Sequence, residues 1–212
     1  IGGYSDSNES DKYSRLVKSS TNIKNFVASV TKFLHDYKFD GLDFAWEYPS
    51  ATDKAGFGNL LRSLQNAFTP YGYYLSVAMP SKLKMINQGI QLIASQQLRN
   101  NHLICKGYDV VVINNTVDFI NLKTFDMHGP WNPGEADHHA PLYKRPWDDE
   151  NNLYYVDYTV NYLTEQGIPP GIINLGIPVY GRTWTLATLA SVDPELPAEA
   201  EGPGNGGEYT MQ

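Results

Sequence analysis

Phe39-Asp40-Gly41-Leu42-Asp43-Phe44-Ala45-Trp46-Glu47-Tyr48-Pro49 is the stretch that decides the fold. Successive side chains of a β-strand point to opposite faces, so Leu42, Phe44 and Trp46 share one side and Asp43, Ala45 and Glu47 the other. The apolar row suits a layer of covering helices. The second row sets two carboxylates and one methyl group in line. Carboxylates are costly to bury without partners, so this row reads as a functional site or a tight ion network.

Outward from this strand, apolar runs alternate with helical patterns. Ile23, Phe26, Val27, Val30, Phe33 and Leu34 have the spacing of one helix face, and Phe57, Leu60, Leu61, Leu64 and Phe68 form a second such stripe. Further strand-like runs cover Tyr73 to Met79, stopped by Pro80, then Val117 to Phe125, and Ile172 to Ile177. A helix around Tyr155 to Glu165 lies before the last run and stops at Gly167 and Pro169-Pro170. Ile1 followed by Gly2-Gly3 reads as a strand end and a tight turn. Alternation of this kind predicts parallel strands with crossover helices, in a doubly wound sheet or a (β/α)8 barrel. Polar residues gather where the runs end, at Asp43 and Glu47, Asp126 and His128, and Tyr180 and Arg182, as at the C-terminal face of a barrel. No strand leads into a Gly-rich phosphate loop, which favours the barrel over a nucleotide-binding sheet.

Composition narrows the classes. The net charge of -7 comes without any Lys/Arg run, which disfavours nucleic acid and anionic membrane as partners. No apolar stretch approaches the roughly 20 residues that cross a bilayer. Aromatic residues make up 13% of the chain, and 15 of them are Tyr, a residue suited to sugar as well as to a protein core. The single cysteine, Cys105, lies in the apolar Leu103-Ile104-Cys105 and is expected to be a small buried residue. His138 and His139 lack an evident third ligand, so neither a metal nor another cofactor is expected. The chain opens without an initiator Met or a signal peptide, which reads as an upstream segment removed. Asn8 and Asn114 begin Asn-x-Ser/Thr triplets and are candidate glycosylation sites. Ala187 to Gln212 turns rich in Ala, Glu, Pro and Gly and reads as a loop, a linker or the start of an inserted subdomain.

The carboxylate strand resembles the signature of family 18 glycoside hydrolases, Asp-Gly-x-Asp-x-Asp-x-Glu followed by Tyr-Pro. Asp40, Gly41, Asp43, Glu47, Tyr48 and Pro49 match it, and Ala45 stands where the family has its third aspartate. Ile1-Gly2-Gly3-Tyr4-Ser5 is similar to the family's strand 3 end, Val117 to Trp131 to its strand 6, and Tyr180-Gly181-Arg182 to its strand 7 end. The resemblance implies an incomplete TIM-type barrel of about strands 3 to 7 over residues 1–186. Residues 187–212 would open an α+β insertion, and the chain would be part of a longer, secreted protein.

The resemblance also implies the chemistry. In this family the substrate's own N-acetyl oxygen attacks the anomeric carbon. Glu47 would be general acid and base, with Asp43 and Asp40 in the catalytic set. Asp126, Trp131, Tyr180, Arg182 and Met79 would contact the sugar; His128 reads either as a binding wall with Trp131 or as a satisfied loop histidine. Ala45 can neither orient the acetamido group nor stabilise the positive intermediate, a loss of about 10²–10³ in rate. Phe125 replaces the family's hydrogen-bonding tyrosine. Lys123 shares a strand face with Asn121 and Phe125, and its ammonium is expected either to pair with Asp43 or Glu47 or to reach solvent at the rim. A cation beside Glu47 would favour the ionised form, the wrong state for a general acid. The expectation is a protein that binds chitin or chito-oligosaccharides with hydrolysis lost or strongly reduced. An active or weakly active chitinase and a non-catalytic signalling or scaffold protein are the alternatives.

Overall fold

The computed structural model describes residues 1–8, 11–81, 107–129, 131, 134–148, 152–187, 197–205 and 210–211. Cys105 and its apolar neighbours lie outside the described residues. The chain forms two compact units. The first comprises Ile1–Met79, Leu83–Asn121 and Leu163–Asn174, and the second Pro80–Lys82, Leu122–Tyr162 and Leu175–Gln212. The second unit thus takes residues from both sides of the division expected at 186.

The first unit is built on a sheet of order β1-β2-β3-β5, comprising β1 (Gly41–Phe44), β2 (Tyr74–Pro80), β3 (Phe119–Lys123) and β5 (Ile173–Leu175). β1 and β2 run parallel, with Gly41 opposite Tyr74 and Phe44 opposite Val77. Helices α1 (Tyr4–Asn8), α2 (Lys12–Val17) and α3 (Ser20–Tyr37) precede β1, α4 (Lys54–Phe68) separates β1 from β2, and α5 (Val110–Thr116) precedes β3. The last residues of β2, β3 and β5 belong to the second unit, as does most of α6 (Val156–Glu165), the helix before β5.

The strand parity read from the sequence places the core. Phe44 and Trp46 are buried, and Phe44 meets Tyr13, Phe26 and Phe57 with ring centroids 5.4, 6.1 and 5.6 Å away. All five stripe residues of α4 are at most 1% exposed, each worth about 1.5–3 kcal/mol of burial. Tyr108 closes this core edge-on to Phe57, and its hydroxyl donates to the Trp46 carbonyl at 2.9 Å. The motif glycine Gly41 is required by close approach, because a Cβ there would lie 2.2 Å from the Tyr74 carbonyl oxygen.

Helix α3 keeps its expected face except at Phe33, with Phe26, Val27 and Val30 half-buried. Ile23 and Leu34 are buried, but Phe33 is half exposed and stacks on Phe39 at 5.7 Å. Its N-terminus is capped by Ser19, whose hydroxyl accepts the Asn22 N–H at 3.2 Å. Ser19→Ala is expected to cost about 1 kcal/mol, read as a lower urea midpoint at unchanged slope. An unchanged midpoint would show that the cap carries no stability. Helix α5 was not foreseen, since Val110-Val111-Val112-Ile113 has the β-branched look of a strand. Asp109 settles it by accepting the Val112 N–H at 3.2 Å, and Val112, Ile113 and Thr116 are buried. Asn114 is half-buried on this helix.

In the second unit β8 (Ala198–Pro203) runs antiparallel to both β4 (Glu135–Ala136) and β7 (Trp184–Leu186). β6 (Gly181–Arg182) pairs in parallel with β9 (Thr210–Met211). Among the described residues, the tail after Leu186 therefore contains strands. Leu175, Ile177 and Val179, beginning at the end of β5, are exposed at 49, 81 and 87%.

Candidate active site

The carboxylate row lies in the first unit. Asp43 is held by neutral donors from the next two strands of the sheet. Ser76 Oγ on β2 and Asn121 Nδ2 on β3 both donate to its Oδ1, at 2.7 and 2.8 Å, and Asn174 Nδ2 donates to Asn121 Oδ1 at 3.1 Å. This chain of amides fixes the carboxylate with donors that carry no charge. Ala45 follows on the same face of the segment, and Glu47, two residues on, is 8% exposed. Its peptide bond to Tyr48 is cis.

The start of the chain explains how Glu47 is seated. Gly3 N–H donates to the Ala45 carbonyl at 2.6 Å, and Ala45 N–H donates to the Ile1 carbonyl at 2.8 Å. Gly2 between them has φ +103°, and a Cβ there would lie 2.2 Å from the Ala45 oxygen, so only glycine fits. The turn leads directly into α1, whose Ser7 Oγ accepts the buried Glu47 N–H at 2.9 Å.

A second cluster lies in the second unit. Asp126, with φ +58°, follows Phe125 beyond the end of β3. Its Oδ1 accepts Arg182 Nε at 3.0 Å and Nη2 at 2.7 Å. The Arg182 guanidinium also lies over the rings of Trp131 and Tyr180, 4.8 and 5.4 Å from their centroids. Trp131 is 47% exposed. Burial, then the hydrogen bond and charge of Asp126, raise the Tyr180 phenol well above its usual range, so it acts as a hydrogen-bond donor. A flat exposed indole beside a fixed cation and carboxylate is chemistry suited to a sugar ring with polar substituents.

Other expected residues fall elsewhere. Asp40 is exposed at the start of β1, where its carbonyl accepts the Tyr74 N–H at 2.8 Å, so its role is at the backbone and away from Glu47. Met79 has the parity of Leu75 and Val77 and is 1% exposed, buried with them in the core. His128 takes the loop-histidine alternative. It is 5% exposed, with Nδ1 3.5 Å from Asp137 and its ring edge-on to Tyr154. Phe125 meets Tyr180 edge-on at 6.2 Å and covers Gly176. Lys123 is half-buried on the Asn121 face of β3, and its carbonyl accepts the Ser81 hydroxyl at 2.7 Å.

Three contributors escaped sequence reasoning. Ser76 and Asn121 carry no motif of their own as partners of Asp43. His139, considered only as a metal ligand, sits under Asp126 and Tyr180. Among the described residues no group of three or more His, Cys, Asp or Glu side chains is placed to hold a metal. No helix of these residues is long and apolar enough to cross a membrane.

A parallel α/β sheet with polar side chains gathered at its strand ends is the arrangement of the TIM-barrel class. The chain belongs to the glycosyl hydrolases family 18, whose model matches residues 1–210. It is 36% identical over 220 residues to probable chitinase 10 of Drosophila melanogaster, across 99% of this chain and 9% of that protein. Ostrinia furnacalis Group IV chitinase, solved in complex with allosamidin, superposes with a TM-score of 0.82 at 30% identity, over 100% of this chain and 53% of that one. YKL-39, solved in the presence of chitooligosaccharides (GlcNAc4), gives a TM-score of 0.77 at 30% identity, over 98% and 53%. The chain thus spans about half the length of both solved chains and is a chitinase or chitinase-like part of the family.

Proposed function

We propose that this chain is the chito-oligosaccharide-binding portion of a secreted chitinase-like protein whose hydrolysis is lost or strongly reduced. One observation carries the reading. At the position of the motif's third aspartate, on the face shared by Asp43 and Glu47, stands the methyl group of Ala45. Neutral, hydrogen-bond-free and immobile, it cannot orient an acetamido group or balance a cationic intermediate. Phe125 removes a hydroxyl as well. Trp131, Tyr180, Arg182 and Asp126 retain the surface expected to meet the sugar. Asn8 and Asn114 are proposed glycan attachment sites, in keeping with secretion.

Turnover and binding of N-acetylchitotetraose, measured side by side on the wild type and Glu47→Gln, test the reading. Binding by both and cleavage by neither is expected. Cleavage by the wild type that Glu47→Gln abolishes would make the protein an enzyme, and absence of binding would remove the sugar altogether. A second reading, residual activity, is favoured by a specific observation. Asp43 keeps both its donors, and Glu47 keeps its seat on Ser7.

A further inference from the structure

His139 is the least exposed partner in the Asp126 cluster for which the proposed chemistry has no use, and both its ring nitrogens are engaged. Asp126 N–H donates to Nδ1 at 3.4 Å, so that nitrogen must carry a lone pair. Nε2 lies 3.2 Å from the Tyr180 carbonyl oxygen, which can only accept, so that nitrogen must carry the proton. The ring is thus the neutral Nε2–H tautomer, bridging the two residues that flank Arg182's carboxylate contact. It lies tilted on the Tyr180 ring at 5.1 Å. The Met127 N–H donating to the His139 carbonyl at 2.8 Å secures the same loop from the backbone.

We propose that His139 is a positioning residue that holds Asp126 in its left-handed conformation only while neutral, making the sugar-binding cluster sensitive to acid. The inference rests on the reading that this cluster meets a chito-oligosaccharide. Protonation puts a hydrogen on Nδ1, where it opposes the Asp126 N–H. The new N–H then faces Asp126 Oδ1, 3.7 Å away, the oxygen that Arg182 already holds. Asp126 loses an acceptor for its backbone and gains a competitor for its carboxylate. The groups facing His139 divide: Asp126 favours the cation, whereas Arg182 and His138 oppose it, and the Tyr180 carbonyl is satisfied in either state. Burial, the largest influence, holds the imidazole below its ordinary value, so the change falls on the acid side of about pH 6.5.

Two measurements on the full chain decide this separately from the functional reading. Nitrogen-15 NMR of the imidazoles is expected to show His139 as the Nε2–H tautomer at neutral pH. The Asp126 amide should titrate with the His139 midpoint. In His139→Asn, whose side-chain oxygen can still accept the Asp126 N–H but cannot titrate in this range, the Asp126 amide should be flat. An Nδ1–H tautomer, a charged ring at neutral pH, or an Asp126 amide that ignores His139 overturns the inference whether or not any sugar binds. N-acetylchitotetraose affinity is then expected to weaken about tenfold in the wild type once pH has fallen through the His139 midpoint read by NMR. It should stay constant in His139→Asn and be weak throughout in His139→Phe. Equal pH dependence in the wild type and His139→Asn overturns the proposal. A wild type that binds no chitotetraose at any pH sinks the functional reading instead, leaving the NMR result to stand by itself.

Discussion

Ala45→Asp, Lys123→Met and Phe125→Tyr together are expected to raise the hydrolysis of N-acetylchitotetraose by about 10²–10³ over the parent. Both forms are assayed in a chain of the relatives' length, since this one spans about half of theirs. The first change restores a carboxylate between Asp43 and Glu47. Neighbours on one strand face stand about 6.6 Å apart, close enough for like charges to favour the protonated acid that leaving-group departure needs. The second removes a fixed positive charge from the Asn121 face of β3. The third restores a phenol where Phe125 now presents only a ring edge to Tyr180. Asp43 is already held by Ser76 and Asn121, so the added carboxylate meets a prepared partner rather than a mobile one. Equal rates in the two forms would show that Ala45 is tolerated and that the protein is an ordinary chitinase.

The second large effect concerns stability. Arg145 is almost buried at 13% side-chain exposure and joins two carboxylates more buried still, Asp137 at 2% and Asp148 at 4%. Nη1 and Nη2 bind Asp137, and Nη2 reaches Asp148 at 2.7 Å. Arg145→Leu keeps much of the volume but strands both anions, a loss of about 3–5 kcal/mol at neutral pH. Burial, the largest single influence, would raise both aspartates, but the hydrogen bonds and charge of Arg145, joined at Asp137 by His128 and the His138 N–H and at Asp148 by Asn152, together hold each below its ordinary value. Groups depressed in this way contribute stability that is present above the unfolded value of about 3.9 and lost as pH falls through the folded values. In Arg145→Leu the backbone N–H groups of residues 138 and 145 and the His128 ring remain, but the guanidinium is gone, the folded values rise, and the penalty applies only where the carboxylates are ionised. The gap between wild type and variant should therefore narrow from pH 6 towards about pH 3 in urea titrations. A gap that ignores pH would mean that lost packing, not stranded charge, destabilises the variant.

Local patterns were readable and long-range polar partners were not. Helix α4 and the two faces of β1 followed from spacing, because period 3.6 and period 2 are properties of neighbouring residues. Helix α5 did not follow from spacing, since Val110 to Ile113 has strand-like composition. Its β-branched run is a local signal, overruled by a cap at Asp109 and by burial that no short window reveals. The candidate site divides likewise. Asp43 and Glu47 stand in one motif, whereas Ser76 and Asn121 are 33 and 78 residues from the oxygen they bind. His139 and Arg145 belong to a polar loop whose sequence gives no period, so their partners emerged only with the folded chain. Met79, expected at the sugar, shares the parity of Leu75 and Val77 and is buried with them.

Leu175, Ile177 and Val179 have a consequence for how such a protein is made. Three apolar side chains standing free on alternate positions are the kind of extended segment that sticks to its own kind. A ribosome delivers residues at about 5–20 per second, so a nascent chain that has reached Val179 carries this adhesive strip into a crowded compartment. Chaperone occupancy of that strip would then be a matter of timing, set by how soon something else in the cell or in the chain arrives to cover it.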